Sequence, residues 1–113
     1  MSRDALLYIE DMVAAGEAIL RYTNDVTFEA FATNDERRAA VERPVFVIGE
    51  AAPRLPNDWK QSTPTVPWRR IIGLRSLLAH GYWTIDVEEL RDVARSTVPE
   101  FLADLHPLLG DDI

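Results

Sequence analysis

The sequence predicts an all-α fold, a small antiparallel helical bundle. Three observations carry that prediction. Apolar residues recur at spacings of three and four along most of the chain. No segment alternates apolar and polar residues for long enough to make a strand. Capping and breaking residues fall where those apolar stretches begin and end. The 113 residues fit one domain, read as 1–113, with no internal repeat or low-complexity tract.

Each element has its own signal. Residues 4–23 set Leu6, Ile9, Met12, Val13, Gly16, Ile19 and Leu20 at helical spacing. Glu10, Asp11, Glu17 and Arg21 fall mostly between them, so a long amphipathic helix is expected, broken by Asn24-Asp25. Thr27 is placed to cap a short helical turn through Phe31, with Phe28 and Phe31 turned to the core. Thr33 and Glu36 have capping-box spacing, and a second long helix should follow from Asn34. Its apolar positions are Ala40, Val41, Val45, Ile48, Ala51, Ala52 and Leu55. Pro44 predicts a kink within it, and Pro53 and Pro56 finish it. Residues 57–66 read as a loop with one turn near Trp59. A third main helix should run from Pro67, where a missing N–H costs nothing, to His80, with Gly81 as its stop. Asp86 and Glu89 again have capping-box spacing, now with Asp as cap. The fourth main helix should cover 87–109, with Leu90, Val93, Val98, Phe101, Leu102, Leu105 and Leu109 inward and Pro99 placed to bend it.

Composition narrows the function. Hydrophobic residues are 47% and charged residues 27%, an ordinary globular balance. The absence of cysteine excludes a disulfide scaffold, a thiolate zinc site and a cysteine nucleophile. No apolar run is long enough to span a membrane, and Met1-Ser2-Arg3-Asp4 does not open a signal peptide, so a cytoplasmic protein is expected. His80 and His106 lack metal-ligand spacing, the five glycines form no phosphate loop, and no metal or cofactor is implied. The net charge of -7 argues at first against nucleic acid. Its distribution changes that reading. Residues 1–58 carry 11 acids and 6 bases, and residues 86–113 carry 8 acids and 2 bases. The window 59–85 has no acid but holds Lys60, Arg69, Arg70, Arg75 and His80, with Trp59, Trp68, Tyr82 and Trp83. Such a strip suits an anion.

Within that window, Arg75 and His80 stand out. As residues of a core helix they need no function: an apolar stretch ends in a glycine, with a histidine near the helix C-terminus. As a functional pair they face a geometric obstacle, since five residues put them ~140° apart on an ideal helix. Either the helix unwinds at Gly81, or two copies meet across a two-fold axis and share one cleft.

The run Pro67-Trp68-Arg69-Arg70-Ile71-Ile72-Gly73-Leu74-Arg75-Ser76-Leu77-Leu78-Ala79-His80-Gly81-Tyr82 resembles the signature of the HepT-like proteins of the HEPN superfamily: Arg, four to six residues, His, then Tyr two places on. Ile48-Gly49-Glu50-Ala51-Ala52 resembles that family's Ile-Gly-Glu-Ala block, and Pro64 with Pro67-Trp68 its approach to the motif. The opening helix with Ile19 and Tyr22 and the later Asp86 are also similar, so the likeness covers nearly the whole chain.

That resemblance implies an HEPN-like bundle, a homodimer through the motif helices, and pairing with a minimal nucleotidyltransferase antitoxin. The implied activity is metal-independent cleavage of RNA by a toxin. Arg75 and His80 would be the catalytic pair and Tyr82 the residue modified with AMP. Ser76, Arg69, Arg70, Glu50 and Trp83 would support the motif or bind substrate. Ser76 departs from the pattern, because active HEPN nucleases usually carry Asn or Asp after the arginine. Pro44 and Pro53 also interrupt the long helix more than the family pattern does. The alternative is a non-catalytic subunit that binds the nucleotidyltransferase, or a nucleotide, through the same cleft.

Overall fold

The computed structural model describes residues 3–79 and 87–109, with the side chains of residues 3, 75 and 77–79 outside that description. Every long element among the described residues is helical, and together they form an all-α bundle. In order they are α1 (Arg3–Thr23), α2 (Phe28–Ala32), α3 (Asp35–Ala51), a 3₁₀ turn (Ala52–Arg54), α4 (Asn57–Gln61), α5 (Trp68–Ala79), α6 (Val87–Asp92), a π turn (Val93–Thr97) and α7 (Val98–Leu109). The helix α3 is the spine, packing on α1 along one side and α5 along the other, while α7 closes on α1.

The apolar stripes do most of what their spacing predicts. Ile9, Met12, Val13 and Ile19 of α1 and Val41, Val45 and Ile48 of α3 are all buried, and the two helices pack on each other. Leu6 and Leu20 are the exceptions, at 37% and 36% exposed, while Ala5 and Ala15 are buried instead. At 100° per residue Leu6 lies at the edge of the buried arc of α1, whereas Leu20 lies within that arc but in the last turn of the helix. Helices come close at Gly16: a Cβ there would lie 3.0 Å from Leu102 Cδ2 and 3.1 Å from its Cγ.

Helix ends follow local chemistry. Asn24-Asp25 does break α1, with Asp25 in the left-handed region at φ 57°. Thr27 caps α2 by accepting from the Ala30 N–H at 3.1 Å, and Phe31 is buried while Phe28 is half-buried. The cap of α3 is Asn34, not Thr33: its Oδ1 accepts from the Arg37 N–H at 3.0 Å. Thr33 is spent on the end of α2, its hydroxyl donating to the Glu29 carbonyl at 2.8 Å. Arginines then tie the corner, Arg37 to the Tyr22 carbonyl and Arg38 to the Ala32 carbonyl and Asp35.

Proline shapes the long helices. The helical backbone of α3 passes through Pro44, which is buried, so the proline withholds one donor without ending the element. Pro53 and Pro56 bring the chain through the 3₁₀ turn to an extended Leu55. The stretch 87–109 is helical throughout, but it carries the π turn directly before Pro99. Pro99 has no N–H for the Arg95 carbonyl and its ring crowds that carbonyl in an α-helix. The wider turn, closed by the Val98 N–H on the Val93 carbonyl, accommodates it. Leu90, Val93, Val98, Phe101, Leu102 and Leu105 are buried as their spacing predicts, and Leu109 is half-buried. The expected stop at Gly81 and the Asp86 cap lie outside the described residues. No described helix is long and apolar enough to cross a membrane.

Candidate active site on the fifth helix

The described part of the motif, through Ala79, lies on α5, and the inner face of that helix fixes how it sits. Ile71 and Leu74 are buried, and α5 packs chiefly on α3. Its first residue, Trp68, is half-buried and pinned at the helix entrance. The indole Nε1 donates to Thr63 Oγ1 at 3.0 Å, and the ring meets Trp59 edge-on with centroids 5.5 Å apart. Lys60 reaches back to the Ala52 carbonyl at 3.3 Å. The acid-free window therefore spends part of its aromatic and basic content on its own folding.

The outer face of α5 is different. Arg69, Gly73 and Ser76 are exposed, and a Cβ at Gly73 would meet nothing within 4 Å. Arg75 belongs to the helical backbone of this element, immediately before Ser76. Its side chain is outside the described set, as are His80, Tyr82 and Trp83.

Arg70 and Glu50, two of the residues expected to support the motif, both lie within the described set. Arg70 Nη2 lies 2.7 Å from Asp92 Oδ2, with the two side chains 49% and 58% exposed. This bond joins α5 to α6 and sets an acid beside a window that has none in the sequence. Glu50 is half-buried on α3 and lines a hollow of about 240 Å³ built by α1, α3 and the 3₁₀ turn, with Tyr8, Asp11 and Arg54 among its neighbours. The hollow that Glu50 lines is thus built without residues of α5.

Sequence reasoning passed over a second cluster. A hollow of about 710 Å³ is lined by Phe28, Arg91, Arg95, Glu88, Glu89 and Asp92. The Arg91 guanidinium lies 5.4 Å over the Phe28 ring, and its buried Nε has no hydrogen-bond partner among the described residues. Arg95 Nη2 donates to the Val26 carbonyl at 3.0 Å. Asp92 connects this hollow to Arg70 and so to α5. The available signal was the spacing of Arg91 and Arg95, one helical turn apart, which in a segment rich in acids reads as an ordinary solvated face.

Comparison with known proteins agrees with the motif. The model of the HepT-like family, described as ribonuclease HepT-like, matches residues 12–107. A probable ribonuclease HepT of Thermococcus cleftensis is 35% identical over 99 residues, covering 88% of this chain and 90% of that one. A candidate RNase of Methanocaldococcus jannaschii is 33% identical over 98 residues, covering 87% and 90%. Another from Caldanaerobacter subterraneus is 27% identical over 93 residues, covering 82% and 83%. No solved structure gives a significant match.

Proposed function

The chain belongs to the HepT-like ribonuclease family, and from that premise we propose that it is a metal-independent endoribonuclease toxin acting through Arg75 and His80. One observation carries the reading. The family match spans the whole motif, and that motif occupies the single acid-free stretch of an acidic chain. The toxin is paired, in this reading, with a minimal nucleotidyltransferase antitoxin.

The chemistry needs only RNA and these side chains. Neutral His80 takes the proton of the 2′-hydroxyl, since imidazole titrates near neutral pH. The 2′-oxygen bonds to phosphorus as the bond to the 5′-oxygen breaks. Arg75 clamps the phosphate and offsets the charge that builds on its oxygens. The His80 of a second copy protonates the leaving 5′-oxygen. The products are a 2′,3′-cyclic phosphate and a 5′-hydroxyl. A homodimer along the motif helices suits this division of labour, and the open surface beside Gly73 on α5 supports it. Transfer of AMP from a nucleoside triphosphate to the Tyr82 hydroxyl, with release of pyrophosphate, would set an anion beside Arg75 and silence the site.

The purified protein should cleave RNA in excess chelator and leave cyclic-phosphate ends. Arg75→Ala and His80→Ala should each abolish that cleavage while the dimer persists in light scattering. Undiminished cleavage in both variants would sink the assignment. Intact mass after co-expression with the nucleotidyltransferase reads the Tyr82 modification, and no added mass removes it. Ser76, exposed on α5 where active HEPN nucleases usually carry Asn or Asp, favours a second reading as a non-catalytic binding subunit. Wild-type protein that binds RNA or nucleotide without producing cyclic-phosphate ends selects that reading.

A further inference from the structure

The hollow of about 710 Å³ lies where α2 meets α6 and the π turn, and six side chains line it: Phe28, Glu88, Glu89, Arg91, Asp92 and Arg95. Every hydrogen-bonding group among them is one-sided. Carboxylates only accept and guanidiniums only donate. No described lining residue carries an amide, hydroxyl or imidazole, which can do both. The charges balance once Arg70 is counted. It reaches from α5 to bind Asp92 at 2.7 Å, which sets three guanidiniums against three carboxylates. A balanced lining has no net pull on a phosphate. It fits a neutral ligand that keeps its donors on one edge and its acceptors on another.

One wall is aromatic. Phe28 is half-buried, and the Arg91 guanidinium lies 5.4 Å over its ring. The ring positions that cation without taking up an N–H donor, and Arg91 Nε has no hydrogen-bond partner among the described residues. Aromatic rings and arginine planes are the surfaces on which unstacked RNA bases settle. Of the four RNA bases, guanine alone separates its groups as this lining does. Its Watson–Crick edge has donors on the adjacent atoms N1 and N2, the match for one carboxylate. Its other edge has the acceptors O6 and N7 side by side, the match for an arginine fork. Adenine sets a donor beside an acceptor on both edges and asks for an amide instead. Neither cytosine nor uracil has donors on adjacent atoms.

We propose that this hollow is a guanine subsite for single-stranded RNA. The base shares the face of the Phe28 ring with the Arg91 guanidinium, takes that guanidinium's fork on O6 and N7, and gives its N1–H and N2–H to a carboxylate of the α6 wall. Arg70 stands five residues before Arg75, a rise of ~7.5 Å along α5, and it borders the hollow through Asp92. The inference rests on RNA being the substrate of the Arg75–His80 site. It adds to that reading a preference for a guanosine near the bond that is cut.

The test titrates the full chain, by anisotropy, with fluorescein-labelled 2′-O-methyl oligouridylates of ~12 nucleotides that carry one central guanosine, adenosine or uridine. The methyl groups block cleavage, so binding is read by itself. The guanosine oligomer should bind at least about tenfold tighter than the other two. Arg91→Gln removes the fork and supplies a group that both donates and accepts, so the preference for guanosine over adenosine should fall to about threefold or less. Phe28→Leu keeps an apolar wall without a stacking surface and should weaken the guanosine oligomer by at least about fivefold. The comparison of the three oligomers on the wild-type chain stands even where a variant unfolds. Equal affinity for the three, or a guanosine preference that survives in folded Arg91→Gln protein, overturns the proposal. Unmethylated oligomers separate it from the ribonuclease reading. Cyclic-phosphate ends that form without regard to the position of guanosine overturn the subsite alone. Guanosine-preferring binding with no cyclic-phosphate ends supports the subsite and overturns the cleavage assigned to Arg75 and His80.

Discussion

Gly16 and Gly73 are both helical, and their surroundings give them opposite consequences. Gly16 is buried where α1 meets α7, and a Cβ would push on three carbons of Leu102, itself only 6% exposed. Gly16→Val should therefore cost about 1–3 kcal/mol, the usual range for overpacking a filled core. Gly73 has open space around its missing side chain. Gly73→Ala should raise the stability of the single chain by about 0.5–1 kcal/mol, because alanine is the better helix former, whereas in a dimer closed along α5 the added methyl meets the second copy. Denaturant midpoints of the two variants check both signs. Of this contrast, only Gly16 could be read in advance, since it falls in the apolar stripe of its helix. Nothing in the residues around Gly73 says whether that side of α5 is covered, because coverage depends on elements distant in the chain.

At the scale of elements, the sequence was legible wherever one local interaction decides the outcome. Thr27, the Asn24-Asp25 break and the run of prolines after α3 act where their chemistry puts them. The start of α3 was not, because two adjacent residues can cap it and the choice turns on how α2 ends. With Thr33 held by the Glu29 carbonyl, Asn34 takes the Arg37 N–H. Asn34→Ala should then lower stability by about 1 kcal/mol, as loss of an N-cap does. If thermal melts instead show the larger loss in Thr33→Ala, the cap has been assigned to the wrong residue. Leu6 and Leu20 show the other limit. Hydrophobicity places a residue near the core face of a helix, and the neighbouring helices decide how far around that face, and how far along it, their cover extends.

Across the whole molecule, charge separated by sequence is partly rejoined in space. Arg70 comes from the acid-free window and Asp92 from the acidic C-terminal stretch, and they meet at 2.7 Å. A half-exposed pair of this kind stabilises by about 0–1 kcal/mol, so Asp92→Asn should melt close to wild type. It should also release one positive charge beside α5. If RNA lies along that face, the slope of log affinity against log salt should steepen by about 0.7 for each added phosphate contact to a single strand. An unchanged slope would place the RNA elsewhere. The motif itself was legible because Arg75, Ser76 and their apolar neighbours follow one helical run. The Arg91–Phe28 hollow was not, since it joins residues 63 positions apart in sequence. The π turn before Pro99 bears on how this chain would be compared with others. Read at 100° per residue, the buried set Leu90, Val93 and Ala94 and the buried set Val98, Phe101, Leu102 and Leu105 drift apart by about 75°. A π turn holds about one residue more than an α turn and sets the phase back by up to about 100°, which brings both sets onto one side. The turn therefore works as a tolerated insertion, compensated where it occurs. Deleting Ser96 together with Pro99→Ala should leave helicity and melting temperature close to wild type. Deleting Ala103 instead would rotate Leu105 off the core and unfold the C-terminal rod. An alignment to relatives with an uninterrupted helix should accordingly open a one-residue gap within 93–97.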